Sequence, residues 1–158
     1  MELHRTTKGI IGESLVTVKL LEHNLEVFAA VSDIDGVDFA VRAKGGGFLE
    51  VQVKGVHTER YPEWFQLTTT RNLDDMRKRP YFVVGMTTQR EFWVFPPEIF
   101  FNPEFSNICT NEKGLTTVDL NLAITRRGNE EPNRERLRQF KDNWQLLIDR
   151  SLATTSNG

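Results

Sequence analysis

Cys109 is the only cysteine in this chain. No internal disulfide is possible, and no cysteine cage can hold zinc or an iron–sulfur cluster. The three histidines, His4, His23 and His57, stand far apart and show no metal-ligand spacing. There is no GxxxxGK phosphate loop, no zinc-finger spacing and no serine-triad signature. No apolar run approaches the ~20 residues that span a bilayer, and the opening MELHRTTKG lacks the apolar core of a secretory signal. These absences lead us to expect a cytoplasmic protein that does not engage a membrane. Neither sign of charge dominates: 20 Lys and Arg face 22 Asp and Glu, a formal net charge of −2. That argues against holding nucleic acid by bulk attraction alone, while leaving room for a local basic surface. Repeats and low-complexity linkers are missing too. A length of 158 residues then suits one domain, over 1–152, followed by a small polar tail at 153–158 expected to be disordered.

Apolar periodicity outlines the elements. Thr6 or Thr7 is placed to cap a helix over about 8–22, with Ile10, Ile11, Leu15, Val18 and Leu21 at helical spacing. Strands are expected over 25–31, 37–43 and 48–56, the last two joined by Gly45-Gly46-Gly47, and a meander of the three is the simplest topology. Residues 64–68 read as a short strand or an aromatic-packed loop. Asn72 caps a short helix over 73–78, which Pro80 ends. Residues 81–86 form an apolar run suited to a buried central strand, and 91–95 pair with it across a Thr-Thr-Gln-Arg turn. Residues 102–114 read as loop, 115–123 as an edge strand, and 134–152 as a last helix with Leu137, Phe140, Trp144 and Leu147 as its stripe.

The stretch DIDGVDFAVRAKGGGFLEVQVKG, residues 33–55, holds the most chemistry. Side chains alternate faces along a strand, so Glu50, Gln52 and Lys54 share one face while Leu49, Val51 and Val53 share the other. A strand needs no acid, amide and ammonium in a row for stability, and buried charges are costly unless paired or bound to metal. Asp38, on the preceding strand, adds a carboxylate. Mg²⁺ prefers hard oxygen ligands and keeps several waters. Asp38, the amide oxygen of Gln52 and the carbonyl of Val53 are therefore candidate metal ligands. Glu13, at the edge of the first helix's stripe, is a further or water-mediated one. Lys54 is placed to orient an attacking water or to stabilise phosphoryl charge. The simpler alternatives are an Asp38 paired with Lys54 or Arg42, a solvent-facing Gln52–Lys54 row and a solvated Glu13. Asp33 and Asp35 read as turn residues.

Gly12-Glu13 in an N-terminal helix, Gly-Val-Asp-Phe around Asp38 and Glu-Val-Gln-Val-Lys at 50–54 together resemble the PD-(D/E)xK nuclease superfamily. The branches most similar are those containing archaeal Holliday-junction resolvases and intron-associated endonucleases with Gln in place of the usual acid. The resemblance covers residues 8–55. It implies an α/β fold of restriction-endonuclease type, with a central mixed β-sheet flanked by helices. It also implies Mg²⁺-dependent DNA cleavage, with Mn²⁺ as a substitute, and a homodimer. Position by position, Asp38 matches the motif aspartate, Gln52 the acid-or-amide position, Lys54 the motif lysine and Glu13 the helix glutamate. Two departures stand out. Val37 occupies the proline position, and Gln52 removes one negative charge from the metal site. Glu50 is a candidate accessory acid, though ~7 Å along the strand from position 52. The alternative is a nuclease fold kept as a non-cleaving DNA-binding or assembly module.

Basic clusters supply candidate DNA contacts: Arg77, Lys78 and Arg79, and Arg134 and Arg138 further along. The aromatics between Trp64 and Phe95 read mainly as core rather than as base-stacking platforms.

Overall fold

The computed structural model describes residues 4–30, 36–55 and 60–155. Asp33, Asp35 and His57, singled out above, lie outside these. Helix α1 spans Arg5–Glu22 and is capped by His4, whose ring accepts from the Thr6 N–H, so it starts a turn earlier than a threonine cap predicts. Its buried stripe is Gly12, Val16 and Leu20. The expected stripe is rotated: Ile10, Val18 and Leu21 are 60%, 51% and 56% exposed. Gly12 lies on the face that packs on the sheet, where a Cβ would stand in ordinary contact with Met86 and Val53.

That sheet has five strands in the order β1-β2-β3-β5-β6. β1 (Glu26–Ala29), β2 (Phe39–Arg42) and β3 (Leu49–Gly55) form the expected antiparallel meander. β5 (Tyr81–Met86) pairs parallel to β3, with Lys54 opposite Gly85, and β6 (Phe92–Phe95) closes the sheet antiparallel to β5. The sheet is thus mixed, and α/β, as expected. The connection from β3 to β5 carries β4 (Trp64–Thr69) and α2 (Leu73–Lys78), the latter capped by the Asn72 side chain on the N–H groups of Asp74 and Asp75.

β4 is a strand, but of a second sheet, antiparallel in the order β4-β8-β7. Here two expectations fail. The segment read as loop contains β7 (Ser106–Thr110), and β8 (Thr116–Asn121) is the middle strand rather than an edge. β7 is itself an edge with one large aliphatic side chain, Ile108, so it carries little periodic signal. The two sheets press together at Gly85. A Cβ there would sit 2.7 Å from the Phe65 ring, so only glycine admits that ring.

The central sheet separates two cores. One holds Leu49, Val51 and Val53 against Val16 and Leu20 of α1 and Trp144 and Leu147. The other holds Tyr81, Val83, Trp93 and Phe95 against Phe65, Val118, Leu120 and the short helix α3 (Pro97–Phe100). The expected helix over 134–152 is broken accordingly. It becomes α4 (Asn133–Arg136), a 3-10 turn at Arg138–Phe140 and α5 (Gln145–Thr155). Between them the chain crosses the β6 edge: Lys141 bridges Trp93, the Asp142 N–H donates to the Phe92 carbonyl at 2.9 Å, and Asp142 turns left-handed at φ 49°. Leu137 therefore packs in one core and Trp144 in the other. α5 also runs through Thr155, so residues 153–155 are helical rather than a disordered tail.

The Gly45–Gly47 turn docks on α5. Ser151 Oγ accepts from the Ala43 N–H at 2.8 Å and donates to the Gly47 carbonyl at 2.7 Å, and a Cβ on Gly46 would lie 2.2 Å from that oxygen. Close approach, as much as turning, demands glycine here.

Candidate functional site

β2 and β3 part company just before Phe39. The Asp38 N–H still donates to the Val51 carbonyl at 2.9 Å. The next N–H facing β2, that of Val53, has no β2 carbonyl to meet. It donates instead to Asp38 Oδ2, at 2.6 Å. The aspartate side chain thus continues a ladder that the backbone has left, which fixes its carboxylate at the mouth of the gap. N–H and C=O of one residue leave a strand on the same edge. The Val53 carbonyl therefore faces the gap beside Asp38.

Helix α1 forms the other wall of this gap. Glu13, Asp38, Gln52, Val53 and Lys54 all line one cavity of about 620 Å³, together with Arg5, Lys8, Thr87, Thr88 and Arg90. Glu13 is exposed at its rim. Gln52 is buried at 8% exposure. Its Nε2 donates to Asp38 Oδ2 at 3.0 Å, and its Oε1 accepts from the Tyr81 hydroxyl at 3.4 Å, while that hydroxyl also donates to the Gly36 carbonyl at 3.1 Å. The amide is oriented with nitrogen toward Asp38; a half-turn about its last torsion exchanges the two ends. Gln52 and Lys54 also line a second cavity of about 380 Å³, with Tyr81, Met76 and the Thr68–Arg71 segment. These two side chains therefore stand between two openings.

Two carboxylates, an amide and a backbone carbonyl make an all-oxygen donor set when the amide presents Oε1. Such a set suits a hard cation that retains waters, and does not suit zinc. Among the described residues no group of three or more His, Cys, Asp or Glu side chains is close enough to hold a metal ion. Any cation here would rely on the neutral amide and carbonyl.

Glu50 does not line the cavity. It accepts from Arg79 Nη2 through both oxygens, at 2.5 and 2.6 Å. Several of the basic residues named above are engaged within the protein. Arg77 donates to the Phe101 carbonyl at 2.9 Å and to Asp74. Arg134 pairs with Glu63 and Glu91 and lies over the Trp93 ring. Hydrogen bonds from Arg134, aided by Lys141 and opposed by burial, hold the Glu91 carboxyl down at about 2. Arg138 is exposed, with Glu135 at 3.8 Å. The sequence reading missed Thr87, Thr88 and Arg90. Their proximity follows from the parallel pairing of β3 and β5, whose carboxyl ends share one side of the sheet, where ligands of open α/β sheets bind.

No protein-family profile matches the chain, and no curated protein matches it in sequence. Solved structures do match. A bacterial homing endonuclease superposes over 98% of this chain and 99% of its own, with a TM-score of 0.63 and 18% identity. Hjc, a Holliday junction resolvase from the archaeal hyperthermophile Archaeoglobus fulgidus, covers 72% of this chain and 84% of its own, with a TM-score of 0.50 and 12% identity. The match with the first covers nearly all of the chain, through both sheets to the final helix. The fold of this chain is the one these two structures share, a mixed β-sheet flanked by helices.

Proposed function

We propose that this chain is a magnesium-dependent endonuclease that hydrolyses DNA phosphodiester bonds. The observation that carries the proposal is the convergence of Glu13, Asp38, Gln52, Val53 and Lys54, from one helix and two strands, on one cavity. Asp38, Glu13, the Val53 carbonyl and a turned Gln52 amide would hold Mg²⁺, with Mn²⁺ as a substitute. The ion would supply an acidified water and a counter-charge for phosphoryl oxygens. The Val53 N–H holds Asp38 in place, so its carboxylate needs no rearrangement on substrate arrival. Lys54, two residues beyond Gln52 on the same strand face, brings an ammonium to the phosphate. A homodimer belongs to the same reading and is supported by the exposed Ile10, Val18 and Leu21 along α1; sedimentation measures it.

The test is cleavage of supercoiled plasmid and of branched DNA in Mg²⁺ or Mn²⁺ by wild type, Asp38→Ala and Lys54→Ala. Each substitution is expected to lower the rate by about 10²–10³-fold. Equal rates in all three proteins defeat the assignment. The hydrogen bond from Gln52 Nε2 to Asp38 favours a second reading, because it satisfies the carboxylate without any cation. In that reading the fold binds DNA without cutting it, and calorimetry finds DNA binding but no uptake of Mg²⁺ or Mn²⁺.

A further inference from the structure

The charge of the two openings differs from that of the chain as a whole. A sequence of net charge −2 places five cations, Arg5, Lys8, Lys54, Arg71 and Arg90, around them. Among the described residues, two acids, Glu13 and Asp38, line the same walls. Arg5 and Arg90 are exposed and make no ion pair among the described residues, whereas Arg79 and Arg134 are held by carboxylates.

Arg90 carries a second signal. It closes the β5–β6 hairpin, where the Arg90 N–H donates to the Thr87 carbonyl and the Thr87 N–H to the Glu91 carbonyl, both at 2.9 Å. Its φ is +60°, the left-handed position that such three-residue loops normally give to glycine or asparagine. An arginine is a poor choice there for folding. The conformation points to a use for the guanidinium rather than for the turn.

We infer that the DNA backbone is gripped by a cationic track that crosses the site. Arg5, Lys8 and Arg90 hold phosphates on one side of Lys54, and Arg71 holds them on the other, past the Thr68–Thr70 hydroxyls. The track rests on the nuclease reading only for its choice of DNA as the polyanion. It replaces the basic segments 77–79 and 134–138 as the principal phosphate contacts. Phosphate contacts of this kind set affinity and register without reading sequence, so the track acts on every duplex alike.

The test uses fluorescence anisotropy of a labelled duplex of about three helical turns. It is run in Ca²⁺ and again in EDTA, at several salt concentrations, with wild type, Arg90→Asn, Arg5→Gln and Arg138→Gln. Arg90→Asn and Arg5→Gln are each expected to weaken binding about 3–10-fold and to reduce the salt slope by about 0.9, one phosphate contact apiece. Arg138→Gln is expected to bind as wild type. Arg90→Asn is also expected to melt no lower than wild type, because asparagine tolerates the left-handed turn. Wild-type affinity and slope in both Arg90→Asn and Arg5→Gln overturn the track, as does the loss appearing in Arg138→Gln instead. DNA binding with these losses but no cleavage in Mg²⁺ supports the track while removing the endonuclease assignment.

Discussion

Replacing Asp38 in two different ways separates what it does for the fold from what it does for chemistry. In Asp38→Ala the Val53 N–H loses its acceptor at 2.6 Å, and Gln52 Nε2 loses the same oxygen at 3.0 Å. The amide has a fallback, since the Val53 carbonyl already lies 3.5 Å from it. The Val53 N–H has none, because β2 has diverged. A buried unpaired N–H costs about 1–3 kcal/mol, so a loss of about 2 kcal/mol is expected, or roughly 4–8 °C in Tm for a domain of this size. Asp38→Asn keeps one oxygen, which can accept from both the Val53 N–H and Gln52 Nε2, as Oδ2 does in the wild type. Only the extra strength of a charged acceptor is lost, about 1 kcal/mol. Both variants lack the carboxylate, so both are expected to lose cleavage. Cation binding reads out independently of cleavage. At about 100 times its Kd a cation adds about 2.7 kcal/mol to wild-type stability, a rise of roughly 5–10 °C. Asp38→Asn should show none of that rise in a Mn²⁺ titration followed by thermal melting. Cleavage by Asp38→Asn within tenfold of wild type, or an undiminished Mn²⁺ shift, refutes the role in metal binding. An Asp38→Ala protein as stable as wild type refutes the role as cap of Val53.

Two further predictions concern the scaffold. Glu91, held at about 2 against an ordinary 4.5, binds its proton less readily folded than unfolded. Its contribution is therefore complete above pH 4.5 and drains away as pH falls toward 2; discounted for solvent screening, it is worth about 1–2 kcal/mol. Urea midpoints measured from pH 6 to pH 2 should show this loss, and Glu91→Gln should remove most of that step. Gly85→Ala drives a methyl into the Phe65 ring at 2.7 Å. It should lower stability by about 1–3 kcal/mol, with near-UV circular dichroism reporting the displaced aromatic packing.

The hairpin around Asp38 was legible because its pattern is local. Phe39 and Val41 alternate with Ala40 and Arg42, and the polar row from Glu50 to Lys54 alternates with three buried apolar residues. The short helix capped by Asn72 was legible for the same reason. What the sequence hid depends on tertiary partners. β7 draws its definition from β8 rather than from its own residues. Leu137 and Trp144 look like one helical stripe until the sheet edge comes between them. Along the cavity wall, the nearness of Asp38 to Gln52 and Lys54 was legible from the hairpin, while that of Arg90 and Arg5 was not. Arg90 reaches the cavity through the register of β5 on β3, and Arg5 through the packing of α1 on β3.

The clasp between the glycine turn and Ser151 links residues 104 apart in sequence. A ribosome must therefore thread out most of this protein before the loop between β2 and β3 finds its anchor. Until then the hairpin that carries the acid and the ammonium has one loose end. A half-made chain would hold Asp38, Gln52 and Lys54 without the frame that aligns them, so the geometry of the cavity is complete only once α5 is in place.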